Sequence, residues 1–312
     1  MINIYTIKSK VDFKSEQVIL FGLGDDLMKI EDNVSNRNFN NVSRYGDAIN
    51  VCNQTYKYVD DIKDADVLVL PHKFYGLQDP ILLMLHKLGV ALGKKLFCFF
   101  NDDIDYRFDL SNFPNLYLFR TSFYKSKKFP NEYGFPGISP DFFDGTYLNK
   151  DDISIGYRGN DLNGRQYYLN LFDKSKFKTN FEISNGYFGE SNEKKKDLRR
   201  VYVENLKRNM FTYCYRGTGN WSYRLYDVFM MGRIPILVNT DCVYPFEDFY
   251  NIRDHCVFVE DEDVKSGKVN LEEEIQKFCD THDLGEVQKK NRELYETYFS
   301  AEGIIKSMVK YI

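Results

Sequence analysis

Short apolar runs recur along the chain between helical or turn segments, and this alternation is the feature that most constrains its fold. In the first half the runs lie at residues 2–7, 18–21, 67–70, 96–100 and 116–119. They are apolar on both faces, as expected for parallel strands that are covered by helices on both sides. Pro80–Leu92 begins with a proline and is followed by Gly93, a pattern typical of a helix. The first half is therefore predicted to be a parallel α/β domain.

Residues 125–151 interrupt the alternation with a lysine cluster and several prolines that show neither strand nor helix periodicity. The pattern then resumes, with strands predicted at residues 153–157, 211–215 and 234–238 and helices at 165–172, 193–208 and 222–231. A chain of 312 residues is also long enough to form two hydrophobic cores. We therefore predict two α/β domains, an N-terminal one over residues 1–150 and a C-terminal one over residues 151–312.

The end of the chain has apolar residues spaced by three and four, which predicts helices. These helices are expected at Leu271–Thr281, 284–299 and 301–311. The last of them could pack back onto the N-terminal domain.

Composition excludes several functional classes. A net charge of −4 disfavours a general nucleic-acid binder, so no nucleic-acid partner is expected. Residues 1–30 lack the pattern of a signal peptide. The sequence also contains no stretch of 18 apolar residues, so no transmembrane segment is predicted. The six cysteines show no CxxC spacing, which favours buried free thiols in a reducing compartment. The expected location is the cytoplasm.

Residues 211–246 carry the most informative pattern. A strand is followed by a loop with Gly217 and Gly219, then by a helix that Ser222 would cap, and then by a second buried strand. Open parallel sheets bind ligands at such a glycine loop, because it lies at the carboxyl end of a strand. Helix amides together with Arg216 and Arg224 could face a diphosphate there.

Asp227 follows Arg224 by three residues and so lies on the same face of the helix, where a carboxylate could accept hydrogen bonds from both hydroxyls of a ribose. Two simpler interpretations compete with a nucleotide site. Two glycines flanking one residue are a weak signal, and an arginine and an aspartate at this spacing often form only a surface ion pair.

The run RGTGNWSYRLYD at 216–227, followed by GRIPILVNTDC at 232–242 and PFED at 245–248, closely resembles the signature of exostosin-like glycosyltransferases. Weaker resemblances lie at residues 58–71, 119–136 and 154–165 and extend the similarity over most of the chain. The resemblance implies a GT-B architecture, in which two Rossmann-like domains face each other across a cleft. It also implies inverting transfer from a nucleotide sugar, with no obligatory metal and no other cofactor.

The family's roles transfer to matching positions of this sequence. Arg224 would meet the donor phosphates and Asp227 the ribose, while Arg165 and the turn at 158–160 would complete the phosphate and sugar contacts. The donor site implied in this way, together with the glycine loop, comprises Arg158, Gly159, Asn160, Arg165, Arg216, Gly217, Ser222, Arg224 and Asp227. The family usually has Glu where this chain has Asp227. The membrane anchor of animal and plant members is also absent, which suggests a soluble bacterial or viral member or a trimmed form.

An inverting transfer needs a base on the acceptor side, which we assign to the N-terminal domain. Asp102 and Asp103 are the leading candidates because they follow a predicted strand at its carboxyl end. Asp25, Asp26 and His72 are rivals, and each of these groups could instead simply cap a loop or satisfy a local hydrogen bond. Arginines could stabilise the leaving diphosphate without a metal ion. Trp221, the only tryptophan, could wall the sugar pocket or plug the space under the glycine loop.

The predicted function is therefore transfer of a hexosyl or pentosyl group from a nucleotide sugar, expected to be a UDP-sugar, to an oligosaccharide or polysaccharide acceptor in polysaccharide biosynthesis. The alternative is a catalytically silent nucleotide- or carbohydrate-binding subunit of a glycosyltransferase complex. A nucleotide-sugar epimerase is disfavoured because the chain lacks an early GxGxxG followed by a YxxxK pair.

Overall fold

The structure is a computed structural model that describes residues 1–11, 48–149, 151, 153–184 and 191–312. The strand predicted at 18–21 and the candidate bases Asp25 and Asp26 lie outside the described residues. Within the described part of the chain, no helix combines the length and the apolar character needed to cross a membrane.

The first half of the chain forms a six-stranded sheet in the order β2-β1-β3-β4-β5-β6, in which every pairing is parallel. Its strands are β1 (Ile2–Tyr5), β2 (Tyr56–Tyr58), β3 (Val67–Val69), β4 (Lys95–Phe100), β5 (Leu116–Arg120) and β6 (Glu132–Gly134). Helices α1 (Ala48–Thr55) and α2 (Pro80–Leu92) connect them. Asp79 caps α2, and Gly93 ends it in the left-handed conformation, so the predicted bounds of this helix are confirmed.

The second half forms a five-stranded parallel sheet in the order β11-β10-β9-β7-β8. Its strands are β7 (Ser154–Gly159), β8 (Lys178–Ile183), β9 (Phe211–Cys214), β10 (Ile234–Asn239) and β11 (Val257–Glu260). The helices between them are α3 (Arg165–Asn170), α4 (Asn192–Arg208) and α5 (Tyr223–Met230). Two parallel α/β sheets confirm the predicted fold class of two Rossmann-like domains of GT-B type. The domain limits at residue 150 stay a prediction.

Four α-helices follow the second sheet in the described part of the chain, and the first three are α6 (Asp261–Lys265), α7 (Leu271–Thr281) and α8 (Leu284–Leu294). The helix predicted at 284–299 is α-helical to Leu294 and continues as a π-helical turn over Tyr295–Phe299. Ser300 then caps α9 (Ala301–Met308), which ends in a 3₁₀ turn at Val309–Tyr311.

Helix α9 packs against the N-terminal sheet, although it lies at the other end of the chain. Ile304, Ile305 and Met308 share one buried cluster with Val67 of β3 and Phe97 of β4. The Tyr56 hydroxyl donates to the Ile305 carbonyl at 2.6 Å. The last described helix therefore completes the core of the first sheet.

Candidate functional site

The glycine loop that connects β9 to α5 has the predicted local structure. The Ser222 side chain caps α5 by accepting a hydrogen bond from the Arg224 backbone N–H at 3.3 Å. The Gly217 N–H donates to the Trp221 carbonyl at 2.7 Å, which closes the loop on itself. Gly232 follows α5 with a φ of +60°, as a helix-terminating glycine does.

The strand order brings this loop beside the end of β7. The chain passes from β7 to β8 on one side of the sheet and then returns to β9 on the other, so the order reverses between β7 and β9. Ligands of open α/β sheets bind at such a switch point, outside the carboxyl ends of the strands. Arg158 and Gly159 end β7 there, and Arg216 and Gly217 follow β9.

Arg165 holds the two loops of the switch point together. Its guanidinium donates to the Asn160 carbonyl at 3.3 Å, the Tyr215 carbonyl at 3.2 Å and the Arg216 carbonyl at 2.7 Å. The side chain is buried, and burial, with a contribution from the nearby charge of Arg224, lowers its pKa. In this structure Arg165 braces the loops through backbone carbonyls.

Arg224 lies beneath the end of β7. One guanidinium nitrogen donates to the Arg158 carbonyl at 2.6 Å, and the group lies 4.2 Å from the centre of the Tyr157 ring. A Cβ on Gly159 would come within 2.5 Å of Nη2 of Arg224, so this close approach requires glycine. Arg224 is only 7 % exposed, and its Nε and Nη1 make no hydrogen bond to any described residue.

Asp227 is buried away from solvent. It is 1 % exposed, and its Oδ2 accepts hydrogen bonds from the Tyr202 hydroxyl at 2.8 Å and from Arg199 at 3.3 Å, both on α4. Burial, followed by the charge of Asp227, raises the pKa of Tyr202 well above its ordinary value. The carboxylate therefore serves helix packing here, and the ribose contact assigned to it stays a prediction.

A cavity of about 1070 Å³ opens beside the switch point, at the carboxyl ends of β9, β10 and β11. Tyr124 and Lys125 of the N-terminal half form its opposite wall. Of the donor-site residues predicted from the sequence, Arg216 lines it directly. The cavity is therefore an interdomain space, and we refer to it below as the interdomain cavity.

Direct contacts join the two walls. Arg216 Nη1 donates to the Tyr124 hydroxyl at 2.9 Å, and Lys125 pairs with Glu247 at 3.0 Å. The Asp241 carboxylate accepts hydrogen bonds from the backbone N–H and the hydroxyl of Ser126. These contacts position the N-terminal wall against the loop that follows β10.

The predicted bases lie at a different junction between the two halves. Asp102 pairs with Lys73 at 2.6 Å, and Asp103 accepts a hydrogen bond from Trp221 Nε1 at 2.7 Å. Partial burial raises the pKa of Asp102, but the hydrogen bond and the charge of Lys73 outweigh it and leave the pKa below its ordinary value. Neither aspartate is among the described residues that line the interdomain cavity. Their catalytic role stays a prediction.

Two further candidates make mainly structural contacts. His72 Nε2 lies 3.4 Å from Asp79, the residue that caps α2. The Trp221 indole ring packs close to Gly137, where an added Cβ would lie 2.8 Å from the ring. Trp221 therefore contacts the N-terminal half at Asp103 and Gly137, and both roles considered for it stay predictions.

Sequence reasoning missed most of the cavity wall. Asn239 and Glu260 end β10 and β11, and Asp261 directly follows Glu260. Glu260 accepts a hydrogen bond from Asn239 at 2.7 Å, while Asp261 accepts from the hydroxyls of Tyr168 and Tyr215. A signal did exist, because polar residues directly follow apolar runs at 257–259 and 234–238. Strand β11 was not predicted, however, so its carboxyl end was not considered.

The fold and site define a two-domain α/β protein with a ligand-sized cavity at the strand ends of its second domain. Residues 148–275 match the Exostosin GT47 domain family. This match confirms the resemblance to exostosin-like glycosyltransferases that the sequence shows.

Similar proteins carry glycosyltransferase names. The chain is 35% identical over 68 residues to "Probable glucuronosyltransferase GUT1" of Oryza sativa subsp. japonica, which covers 22% of this chain and 16% of that protein. It is 32% identical over 110 residues to "Probable glucuronosyltransferase Os04g0398600" of the same plant, covering 34% of this chain and 24% of that protein. It is 38% identical over 64 residues to "Probable beta-1,4-xylosyltransferase IRX10L" of Arabidopsis thaliana, which covers 20% of this chain and 15% of that protein.

Each of these matches covers less than a quarter of the relative's own length. Among solved structures, "Spinosyn Forosaminyltransferase SpnP" aligns over 100% of this chain and 99% of its own, with a TM-score of 0.38 and 10% sequence identity.

Proposed function

We propose that this protein is a glycosyltransferase that binds a nucleotide-sugar donor, expected to be a UDP-sugar, in the interdomain cavity. It transfers the sugar with inversion to a glycan acceptor that approaches from the N-terminal domain. The single observation that carries this proposal is the position of Arg216, which lies at the strand-order reversal of an exostosin GT47 domain and also lines the interdomain cavity.

Arg216 has the chemistry needed for the leaving group. A guanidinium forms strong, often paired hydrogen bonds to phosphate oxygens. As the bond between the anomeric carbon and the diphosphate breaks, negative charge builds up on the diphosphate, and a fixed cation stabilises that charge more in the transition state than in the ground state. We propose that Arg216 supplies this charge with the amides of the adjacent loop, without a divalent metal ion.

The reaction also needs a base that removes the proton of the acceptor hydroxyl as it attacks the anomeric carbon. Asp102 and Asp103 remain our candidates, since both stand on the N-terminal side of the junction with the glycine loop. Asp103 touches that loop through Trp221 at 2.7 Å. Asp102 is held ionised by Lys73, so it can accept a proton, although its lowered pKa makes it a weak base.

The cysteines support our proposal for the cellular compartment, the cytoplasm. All six are free thiols, four of them buried. This pattern supports a reducing compartment such as the cytoplasm.

A thermal-shift screen with UDP, GDP, CMP and their sugars tests the donor assignment. A ligand that binds only the folded protein raises the melting temperature as its concentration rises. We expect UDP and UDP-sugars to raise it most. Tighter binding of GDP or CMP in calorimetry would contradict the assignment to uridine.

A donor hydrolysis assay separates a transferase from a catalytically silent binding subunit. Many active transferases slowly hydrolyse their donor when no acceptor is present, whereas a silent subunit binds the donor without turnover. We expect slow release of UDP from the preferred UDP-sugar. Binding without any release, with or without glycan acceptors, would favour the silent subunit.

A further inference from the structure

The charged residues around the interdomain cavity bear on which sugar the donor can carry. Six carboxylate side chains line the cavity against four cationic ones. The carboxylates belong to Asp241, Glu247, Glu260, Asp261, Glu262 and Asp263, and the cations to Lys125, Arg216, Arg253 and Lys265. The lining therefore holds more carboxylates than cations, which is unusual for a site that must hold an anionic nucleotide. One of these carboxylates, Asp263, pairs with Lys268 outside the lining at 2.8 Å.

Three of the four cations are already neutralised by carboxylates of the same lining. Lys125 pairs with Glu247 at 3.0 Å, Arg253 with Glu260 at 3.2 Å and Lys265 with Asp261 at 2.8 Å. Glu260 ends β11 and Asp261 directly follows it, while Glu247 lies in the loop after β10. These cations have little charge left to offer to a ligand.

Arg216 differs from the other three. Within the described part of the chain it has no carboxylate within ion-pair distance, and its two terminal nitrogens donate to neutral oxygens of Tyr124 and Thr218. Its Nε is buried without a described partner. The cavity thus offers one uncompensated cation, and the diphosphate of a nucleotide sugar requires it.

The donor sugar would then lie among paired or exposed carboxylates. A neutral sugar suits this lining, because its hydroxyls can donate hydrogen bonds to carboxylate oxygens that keep unused lone pairs. Hydrogen bonds fix the position of two of these carboxylates. Asp261 accepts them from the hydroxyls of Tyr168 and Tyr215, and Glu260 accepts one from Asn239. A uronic acid would add a carboxylate to the charge of the diphosphate, and no unpaired cation remains to bind it. Repulsion from the carboxylates of the lining would then weaken binding of such a donor.

The relatives do not decide between these sugars, since their names include both glucuronosyl and xylosyl transfer. Resting on the proposed function of the cavity as the donor site, we propose that the transferred sugar is a neutral hexose or pentose and that uronic acid donors are rejected by the carboxylates of the lining.

The test compares UDP-glucose with UDP-glucuronate, which differ only at carbon 6, a hydroxymethyl group in the first and a carboxylate in the second. Calorimetry on the full chain gives the dissociation constant of each, with UDP-xylose and UDP as references. At an effective dielectric constant of about 20, one unscreened like charge at about 8 Å corresponds to a discrimination of roughly thirtyfold. We expect UDP-glucuronate to bind at least about tenfold more weakly, with a ratio that shrinks as salt rises.

Two variants link the discrimination to the lining. Glu247→Gln and Glu260→Gln each leave a cavity cation without its partner, so each should bring the two dissociation constants closer by severalfold. Glu286→Gln is the matched control, because Glu286 also pairs with a lysine, at 2.7 Å, but on the surface and outside the cavity lining. It should leave the ratio unchanged.

The outcomes separate this proposal from the proposed function. Equal or tighter binding of UDP-glucuronate in the unmodified protein overturns the neutral-sugar proposal alone. If the unmodified protein prefers UDP-glucose tenfold but neither Glu247→Gln nor Glu260→Gln reduces that preference, the lining carboxylates are not its cause. If UDP and all three UDP-sugars fail to bind, the donor site itself is misplaced and the proposed function fails with it.

Discussion

Replacement of Arg216 by alanine should weaken donor binding sharply while leaving the protein folded. Arg216 is the one cavity cation among the described residues without a carboxylate partner, so its charge is available to the diphosphate. A hydrogen bond to a charged group contributes about 1.5–3 kcal/mol. Since about 1.4 kcal/mol corresponds to a factor of ten, the dissociation constant of UDP should rise by roughly 10- to 150-fold.

The effect on turnover should be at least as large as the effect on binding. Charge on the leaving diphosphate grows in the transition state, so the loss of a fixed cation lowers kcat as well as raising the donor KM. The measurements are calorimetric binding of UDP and steady-state donor hydrolysis.

Two control variants isolate the role of this guanidinium. Tyr124→Phe removes the 2.9 Å hydrogen bond between the two halves but keeps Arg216, so it shows what the contact with Tyr124 alone contributes. Arg200→Ala removes one positive charge on an exposed face of α4 and should change UDP binding little. If Arg216→Ala binds UDP as tightly as the unmodified protein, the cavity is not the donor site.

Three further predictions concern the metal, the buried carboxylate and the glycine loop. EDTA should leave donor hydrolysis largely intact, and activity that only Mg²⁺ or Mn²⁺ restores would refute the metal-free mechanism. Asp227→Asn should lower the free energy of unfolding by about 2 kcal/mol, because it weakens the acceptor for Tyr202 in a buried network; an unchanged midpoint in urea would contradict this role. Gly219→Ala should lower the free energy of unfolding by about 1–3 kcal/mol, because the new Cβ would lie 2.7 Å from the Asp103 carbonyl oxygen. Gly217→Ala should cost less, because its new Cβ would lie 3.2 Å from the nearest atom. Equal melting temperatures for the two variants would contradict this difference.

The elements that could be predicted from the sequence are those with strong local signals. Pro80–Leu92 has a capping residue, an N-terminal proline and a terminating glycine, and its bounds are confirmed. Apolar runs such as those of β4 and β10 are buried along nearly their whole length and were placed to within a residue or two. Strand β8 escaped prediction because its residues, Lys178–Ile183, are largely polar and none is fully buried. It is held by pairing with β7, which no local pattern reveals.

The same distinction explains what could be predicted of the site. The glycine loop and its neighbours follow one another in sequence, so residues 216–227 could be assigned together. Whether a side chain faces a cavity or packs inside a helix layer depends on partners far along the chain. Asp227 meets Tyr202 and Arg199 of α4, and Arg224 meets the carbonyl of Arg158. Those contacts required the tertiary structure.

The position of α9 has a consequence for how the protein is made. Residues of β1, β3, β4 and β5 emerge early in synthesis, yet the helix that covers their shared cluster lies at Ala301–Met308. During translation α1 can already cover part of this cluster through Ala48 and Cys52, but the part that α9 covers stays exposed while nearly 170 residues after β6 are added. We expect the nascent N-terminal domain to depend on chaperone protection over that interval and to reach its stable state only after α9 leaves the ribosome.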